Sequence, residues 1–316
     1  MRSPHASRSR LAGALIVLSA LVAACGSSTP SPKTTASAGV AVKPSASSAG
    51  PTRIPLLTDV QDPVGTTRML FGMLDPQNKS IGAPDLVVKV AFYDVAKSAT
   101  TPVATVPTTF LWTIPDQTGV YELTTTFDEP GDWIAEFISS KGGLTERTQV
   151  QFQVAATSST PVVGAKAPDT TTPTLADVGG DVKQISTDTN PDPAFYQVSV
   201  HDALAQHKPF VLVFATPAFC TSRVCGPTLD AIKAIAKTEP GVTFINVEPY
   251  KMSFTGGHLQ PILDAQQYLQ ATDVTNAWGL PTEPWIFVVD RNGIVQGSWS
   301  TVVSPAELTT AIDAVK

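Results

Sequence analysis

Residues 208–230 read KPFVLVFATPAFCTSRVCGPTLD, and the whole chain turns on how this stretch folds. Phe210 to Ala215 is a short Val/Phe-rich run bounded by Pro209 and by Thr216-Pro217, which predicts a buried strand. Cys220 comes shortly after it, and Cys225 five residues later. Leu229, Ile232 and Ala236 then recur at helical spacing. The stretch therefore places two thiols between a buried strand and the start of a helix. Partial positive charge at a helix N-terminus favours thiolate over thiol, so cysteines there are suited to redox chemistry. Arg223 would add to that effect.

Working outward, the elements of residues 163–316 alternate. A short helix is expected at 200–206, the strand at 210–215, a helix from Pro227 to Lys237 and a strand at 242–247. Helical segments are expected near 262–269 and 272–278. Two strands, 285–290 and 294–299, flank Arg291-Asn292-Gly293, a hairpin turn of the Asn-Gly kind. A last helix starts at Ser304-Pro305-Ala306-Glu307, where Ser304 caps, Pro305 takes the first helical position and Glu307 closes a capping box. Leu308, Ala311, Ile312 and Val315 line one face of it. The expected fold class here is α/β, a central sheet covered by helices.

Residues 51–155 read as all-β. Leu86, Val88, Val90 and Phe92 alternate with Val87, Lys89 and Ala91; Tyr121, Leu123, Thr125 and Phe127 form a second row, and Trp133, Ala135 and Phe137 a third. Further strands are expected at 68–74, 108–113 and 148–154. Six short strands with turn signals predict a sandwich. Gly119-Val120-Tyr121, with Asp116 upstream, resembles the tyrosine corner of immunoglobulin-like domains. This segment has no Cys or His, so no metal site or nucleophile is expected in it; it is read as a spacer or protein-contact module, the alternative being a domain that binds a specific ligand. Residues 156–162 are the linker.

The N-terminus reads as an address. Arg2, Arg8 and Arg10 precede an apolar stretch, 11–24, too short to span a bilayer comfortably. It closes on Leu21-Val22-Ala23-Ala24-Cys25. This resembles the bacterial lipoprotein signal peptide, residues 1–25 here, and implies a lipid on Cys25 and a place on the extracytoplasmic face of the cell membrane. The other reading is an ordinary signal peptide with an incidental cysteine. Residues 26–50, rich in Ser, Thr, Ala, Pro and Gly, are expected to be a disordered tether. Removing the residues before Cys25 takes away three Arg and no acid, leaving 18 basic against 27 acidic residues. That balance argues against nucleic acid as a partner. With Cys25 lipidated, Cys220 and Cys225 are the one remaining pair in an oxidising compartment.

The C-terminal order of elements is similar to that of thioredoxin-like proteins of the extracytoplasmic TlpA type. Gly164-Ala165-Lys166-Ala167-Pro168 resembles the Gly-x-x-Ala-Pro with which redoxin domains often begin. The second anchor is WGLPTEPWIFVVDRNGIV, residues 278–295, which looks like the family segment leading through a cis-proline into a Phe-containing strand and an Asp-x-Asn-Gly hairpin. The resemblance implies that Pro284 is that cis-proline beside the redox cysteine, and that Phe219, Glu283 and Pro284 contact an extended substrate. It implies a thioredoxin-like α/β fold, preceded by the immunoglobulin-like sandwich, and no metal or cofactor.

The cysteine motif departs from the family's Trp-Cys-x-x-Cys. Phe219 replaces the tryptophan and Arg223 stands at the usual second cysteine. Inside a regular helix, residues five apart have Cα atoms about 8 Å apart, beyond the roughly 4.4–6.8 Å of a disulfide. The regular helix is therefore expected to start near Pro227, leaving 220–225 as a looser turn. Cys220 matches the family's nucleophile by distance from the strand, with Cys225 resolving. Cys225-Gly226-Pro227 in turn resembles thioredoxin's Cys-Gly-Pro-Cys with its last cysteine lost, so both assignments stay open.

The leading functional expectation is thiol–disulfide exchange on protein disulfides through Cys220 and Cys225. The alternative is a non-enzymatic binding module with a structural disulfide. Two lesser ones are a peroxidase, since Thr216-Pro217-Ala218-Phe219-Cys220 resembles the peroxiredoxin Thr-Pro-x-Cys with altered spacing, and a Sco-type copper-handling protein, for which Met252 and His258 would supply the further ligand. His201 and His207 flank a short helix and read as structural.

Overall fold

The computed structural model describes residues 50–58 and 62–316. The expected signal peptide, Cys25 and the expected tether up to residue 49 lie outside the described residues. Among the described residues no helix is long and apolar enough to cross a membrane.

Nine strands come first: β1 (Ile54–Leu57), β2 (Asp62–Pro63), β3 (Gly65–Leu74), β4 (Val87–Asp94), β5 (Ala104–Pro107), β6 (Thr109–Ile114), β7 (Thr118–Phe127), β8 (Gly131–Lys141) and β9 (Leu144–Ala155). They form two sheets, ordered β1-β3-β7-β6 and β2-β9-β8-β4-β5. The alternating rows face one shared core. Met69, Phe71, Tyr121, Leu123 and Phe127 of one sheet meet Val88, Val90, Phe92, Trp133, Ala135 and Phe137 of the other. Each such side chain removed from water contributes about 1.5–3 kcal/mol. Tyr121 does not form the expected corner with the segment near Asp116. Its hydroxyl donates to the Ala83 carbonyl at 2.9 Å and accepts the Ala83 N–H at 3.1 Å. A buried phenol must find a polar partner, and the backbone before β4 supplies one.

Residues 156–199 run largely without regular structure, with three short 3₁₀ turns at Leu175–Val178, Val182–Gln184 and Pro193–Tyr196. The remaining elements are α1 (Val200–Ala205), β10 (Phe210–Phe214), α2 (Cys225–Ala236), β11 (Thr243–Val247), β12 (Met252–Thr255), β13 (His258–Pro261), α3 (Asp273–Ala277), β14 (Trp285–Val289), β15 (Val295–Ser300) and α4 (Pro305–Val315). Their main sheet is ordered β11-β10-β14-β15. β10 pairs parallel with β11 and antiparallel with β14. One face carries Val211, Val213, Ile286 and Val288 under Leu229 and Ile232 of α2 and Leu308 and Ile312 of α4. The other carries Phe210, Leu212, Phe214 and Phe287 against Val200, Ala203 and Trp278. β10 is buried along its whole length, which is why it reads as a continuous apolar run.

The expected fold class does not hold. Among the described residues the structure is mostly β, 39% strand and 17% helix with four α-helices, and the strands fall into several sheets. It is not an α/β thioredoxin fold preceded by an immunoglobulin-like domain. Part of the shortfall in helix lies in residues 262–269, expected to be helical. They form a loop closed by the Leu263–Leu269 bridge, where Asp264 Oδ1 accepts the Gln266 and Tyr268 N–H groups. A side chain that takes backbone donors competes directly with a helix. The Gly-rich stretch before it is the hairpin β12–β13, turning on Gly256 and Gly257 at φ 62° and 82°.

Candidate functional site: the Cys220–Cys225 turn

β10 and β11 run parallel, so the segments leaving Phe214 and Val247 lie at the same end of the sheet. From β10 the chain makes a turn at Thr216, whose carbonyl accepts the Phe219 N–H, and reaches Cys220. Thr221 to Val224 are not helical. Arg223 takes the left-handed φ of 64° and reverses the chain into α2. α2 begins at Cys225, two residues earlier than the Pro227 start expected. Pro227 is then the third residue of the helix. It is tolerated because the first-turn N–H groups have no carbonyl partner within the helix.

This turn closes the Cys220–Cys225 disulfide with a Cα–Cα distance of 5.9 Å, inside the tolerated range. The loop, not a helix shift, brings the two together. Cys225 is fully buried and Cys220 half-buried. The Cys225 N–H, the first of α2, donates to Cys220 Sγ at 3.2 Å. Ser222 Oγ lies 3.3 Å from the same sulfur.

Glu283 enters from the strand side. It precedes Pro284, and the Glu283–Pro284 bond is cis. Its side chain is buried, not solvated as a loop glutamate would be. Oε1 accepts the Thr221 N–H at 2.9 Å and the Thr221 hydroxyl at 2.8 Å; Oε2 accepts the Tyr250 hydroxyl. Ser222 Oγ donates to the Glu283 carbonyl at 3.3 Å. Burial first, and then the Glu283 carboxylate beside it, push the Tyr250 hydroxyl well above the usual tyrosine range, so the proton stays on the phenol. The Pro284 carbonyl accepts the Thr301 N–H at 2.8 Å, and the Thr301 carbonyl accepts the Thr228 hydroxyl of α2 at 3.2 Å. The cis-proline segment and the start of α2 are thus tied together.

Of the residues singled out from sequence, Cys220, Cys225 and Glu283 converge: one donor atom from each lies within 4.8 Å of the others. Pro284 adjoins them through the chain. Phe219 stands in the turn ahead of Cys220 and is half-buried. Arg223 is exposed and, among the described residues, forms no ion pair with the site. His258 does not join this cluster, and Met252 lines a cavity of about 410 Å³ with Glu248, Tyr250, Phe254 and Leu259. His201 and His207 bond to Asp169 and to the Arg291 carbonyl. Thr221 and Tyr250 belong to the site without any motif of their own to mark them. Tyr250 is reachable from topology, because a residue just past a strand parallel to β10 must fall near the cysteine turn. No protein-family model matches the chain, and no curated protein matches it.

Proposed function

We propose that the protein carries out thiol–disulfide exchange on protein substrates through Cys220 and Cys225, held at the extracytoplasmic face of the membrane by a lipid on Cys25. The observation that carries this reading is the asymmetry of the pair. Cys220 is half-buried, while Cys225 is fully buried. The first N–H of α2 points at Cys220 Sγ, and a hydrogen bond to a thiolate favours the charged form. Cys220 is therefore the nucleophile in this reading. Its thiolate attacks a substrate disulfide, forming a mixed disulfide and releasing one substrate thiolate. Cys225 then attacks Cys220 Sγ, restoring the intramolecular bond and releasing the second substrate thiolate.

A second reading, a structural disulfide in a binding module, draws on the complete burial of Cys225. Equilibration of the mature protein with defined thiol/disulfide buffers separates the two. A potential above about −270 mV, with Cys220→Ser abolishing reduction of a peptide disulfide, is expected. A bond that stays oxidised below about −300 mV overturns the exchange reading and leaves the structural one.

A further inference from the structure

We infer that the reduced protein holds a zinc-class divalent cation between Cys220, Cys225 and Glu283, and that oxidation of the two thiols expels it. Two independent observations lead there. The first is the donor set: two sulfurs and a carboxylate oxygen lie within 4.8 Å of one another, the one such group among the described residues. Tetrahedral zinc with Zn–S near 2.3 Å and Zn–O near 2.1 Å places its ligand atoms about 3.6–3.8 Å apart. Breaking the disulfide lets the sulfurs separate to that spacing. Cys220 sits in the non-helical loop, which can move, while Cys225 is fixed by α2.

The second observation is the state of Glu283. Its side chain is buried, and among the described residues no Lys, Arg or His forms an ion pair with it. Three hydrogen bonds orient it: two from Thr221 and one from Tyr250. Buried carboxylates are ordinarily paired with a cation or coordinate a metal. Ser222 Oγ, 3.3 Å from Cys220 Sγ, is a further oxygen close by. The oriented carboxylate resembles the outer-shell arrangement that fixes metal ligands, with Tyr250 and Thr221 as the supporting groups.

The S₂O set also selects the ion. Two thiolates disfavour calcium and magnesium, and a carboxylate is a poor ligand for copper(I), so a borderline divalent ion fits best. Binding replaces two thiol protons: the dithiol and Zn²⁺ give the zinc dithiolate and two H⁺. Oxidation by a disulfide is also balanced. The two thiolates give up two electrons and form the Cys220–Cys225 bond. The incoming disulfide takes those electrons and two H⁺ to become two thiols, and Zn²⁺ leaves.

The proposal needs the dithiol but not turnover. The mature protein is reduced with dithiothreitol, or in denaturant followed by refolding if the native bond resists, and desalted without oxygen. Its two free thiols are then counted, and zinc is titrated calorimetrically. Cobalt(II) provides a second readout through its thiolate charge-transfer band. Expected are one zinc per reduced chain, none on the oxidised chain, and release when glutathione disulfide is added. Glu283→Gln keeps an oxygen for the Thr221 donors and loses the charge; it should bind zinc at least about 10-fold more weakly while the cobalt–thiolate band persists. Tyr250→Phe, which removes a supporting group only, should weaken binding by about 10- to 100-fold. A reduced chain with two free thiols that binds zinc no better than the oxidised one overturns the proposal, as does a Glu283→Gln variant of unchanged affinity. Peptide-disulfide exchange measured on the same samples distinguishes the readings. Exchange without zinc binding removes this inference alone, and zinc binding without exchange removes the exchange reading alone.

Discussion

Single side chains at the end of the C-terminal sheet carry chemistry that their immediate sequence does not show. Glu248, just past β11, is buried, and its Oε1 accepts the Thr187 N–H at 2.6 Å. Burial raises its carboxyl from an ordinary 4.5 to about 7, against the opposing pull of Thr216 and Thr187. The folded state thus keeps a proton that the unfolded chain gives up between about pH 4.5 and 7. Stability from this group is fully present below about pH 4.5 and is lost as pH rises through about 7. A gap of that size corresponds to about 3 kcal/mol. Glu248→Gln stays neutral, so its urea midpoint should change little over that window while the wild-type midpoint falls. Parallel losses in the two proteins would refute the assignment. Nothing around position 248 in the sequence announces this, because Thr187 and Thr216 come from two other segments. The burial and orientation of the Glu283 side chain are likewise absent from its neighbours in sequence, because Thr221 and Tyr250, which hold it, come from two other segments.

Among whole elements, those with strong local signals are legible and those decided by one competing bond are not. The buried run at β10, the alternating rows of β4, β7 and β8, and the Ser304–Glu307 capping box of α4 all form where the residues indicate. Residues 262–269 do not form a helix, because the Asp264 carboxylate captures the N–H groups a helix would need. The Cys turn is half legible. Its residues indicate a loop that closes the disulfide, yet α2 takes in Cys225 because a proline in a first turn gives up no helical bond. The fold class is not legible, because strand and helix order says nothing of how much helix remains once loops like 262–269 are taken out. The end of α3 shows a constraint from elsewhere. Gly279 has φ +63°, and a Cβ there would lie 1.9 Å from the Ser159 carbonyl oxygen, in the connection from β9. Left-handed backbone alone costs a side chain about 1–2 kcal/mol, and the backbone clash adds to it. Gly279→Ala should therefore lower thermal stability by more than that amount. Gly257→Ala, also left-handed but with open space around it, should lose only the conformational part. Equal shifts in melting temperature for the two variants would show that the approach of Ser159 does not matter.

At the scale of the molecule, the two-sheet portion and the cysteine-bearing portion meet through contacts that no local pattern encodes. Val302, between β15 and α4, packs with Leu70 and Val120. Beside it Arg68 of β3 reaches Glu307, 239 residues away, through Nε–Oε1 at 2.9 Å, and Glu122 of β7 through Nη2 at 3.2 Å. All three side chains are mostly buried. Burial pushes Glu122 up despite Arg68, whereas for Glu307 the effect of burial is outweighed by Arg68 and by its bonds to Ser304, which hold it below the ordinary range. Glu307 therefore stabilises the fold at pH values above its unfolded pKa, and that contribution is lost as pH falls through its folded value. Removing the shared cation leaves two carboxylates facing each other at the junction. Arg68→Met should cost about 3 kcal/mol at neutral pH, the lower end of the range for breaking a buried pair because some solvent reaches it. The deficit should shrink near pH 4, roughly the ordinary carboxylate range, where Glu122 takes up a proton and the repulsion fades. Urea unfolding of wild type and variant at the two pH values tests this, with tryptophan fluorescence reporting both portions through Trp133 and Trp278. A loss independent of pH would mean that Arg68 acts through the packing of its methylene stem and not through its charge. A variant in which the two portions unfold separately would show that this junction alone couples them.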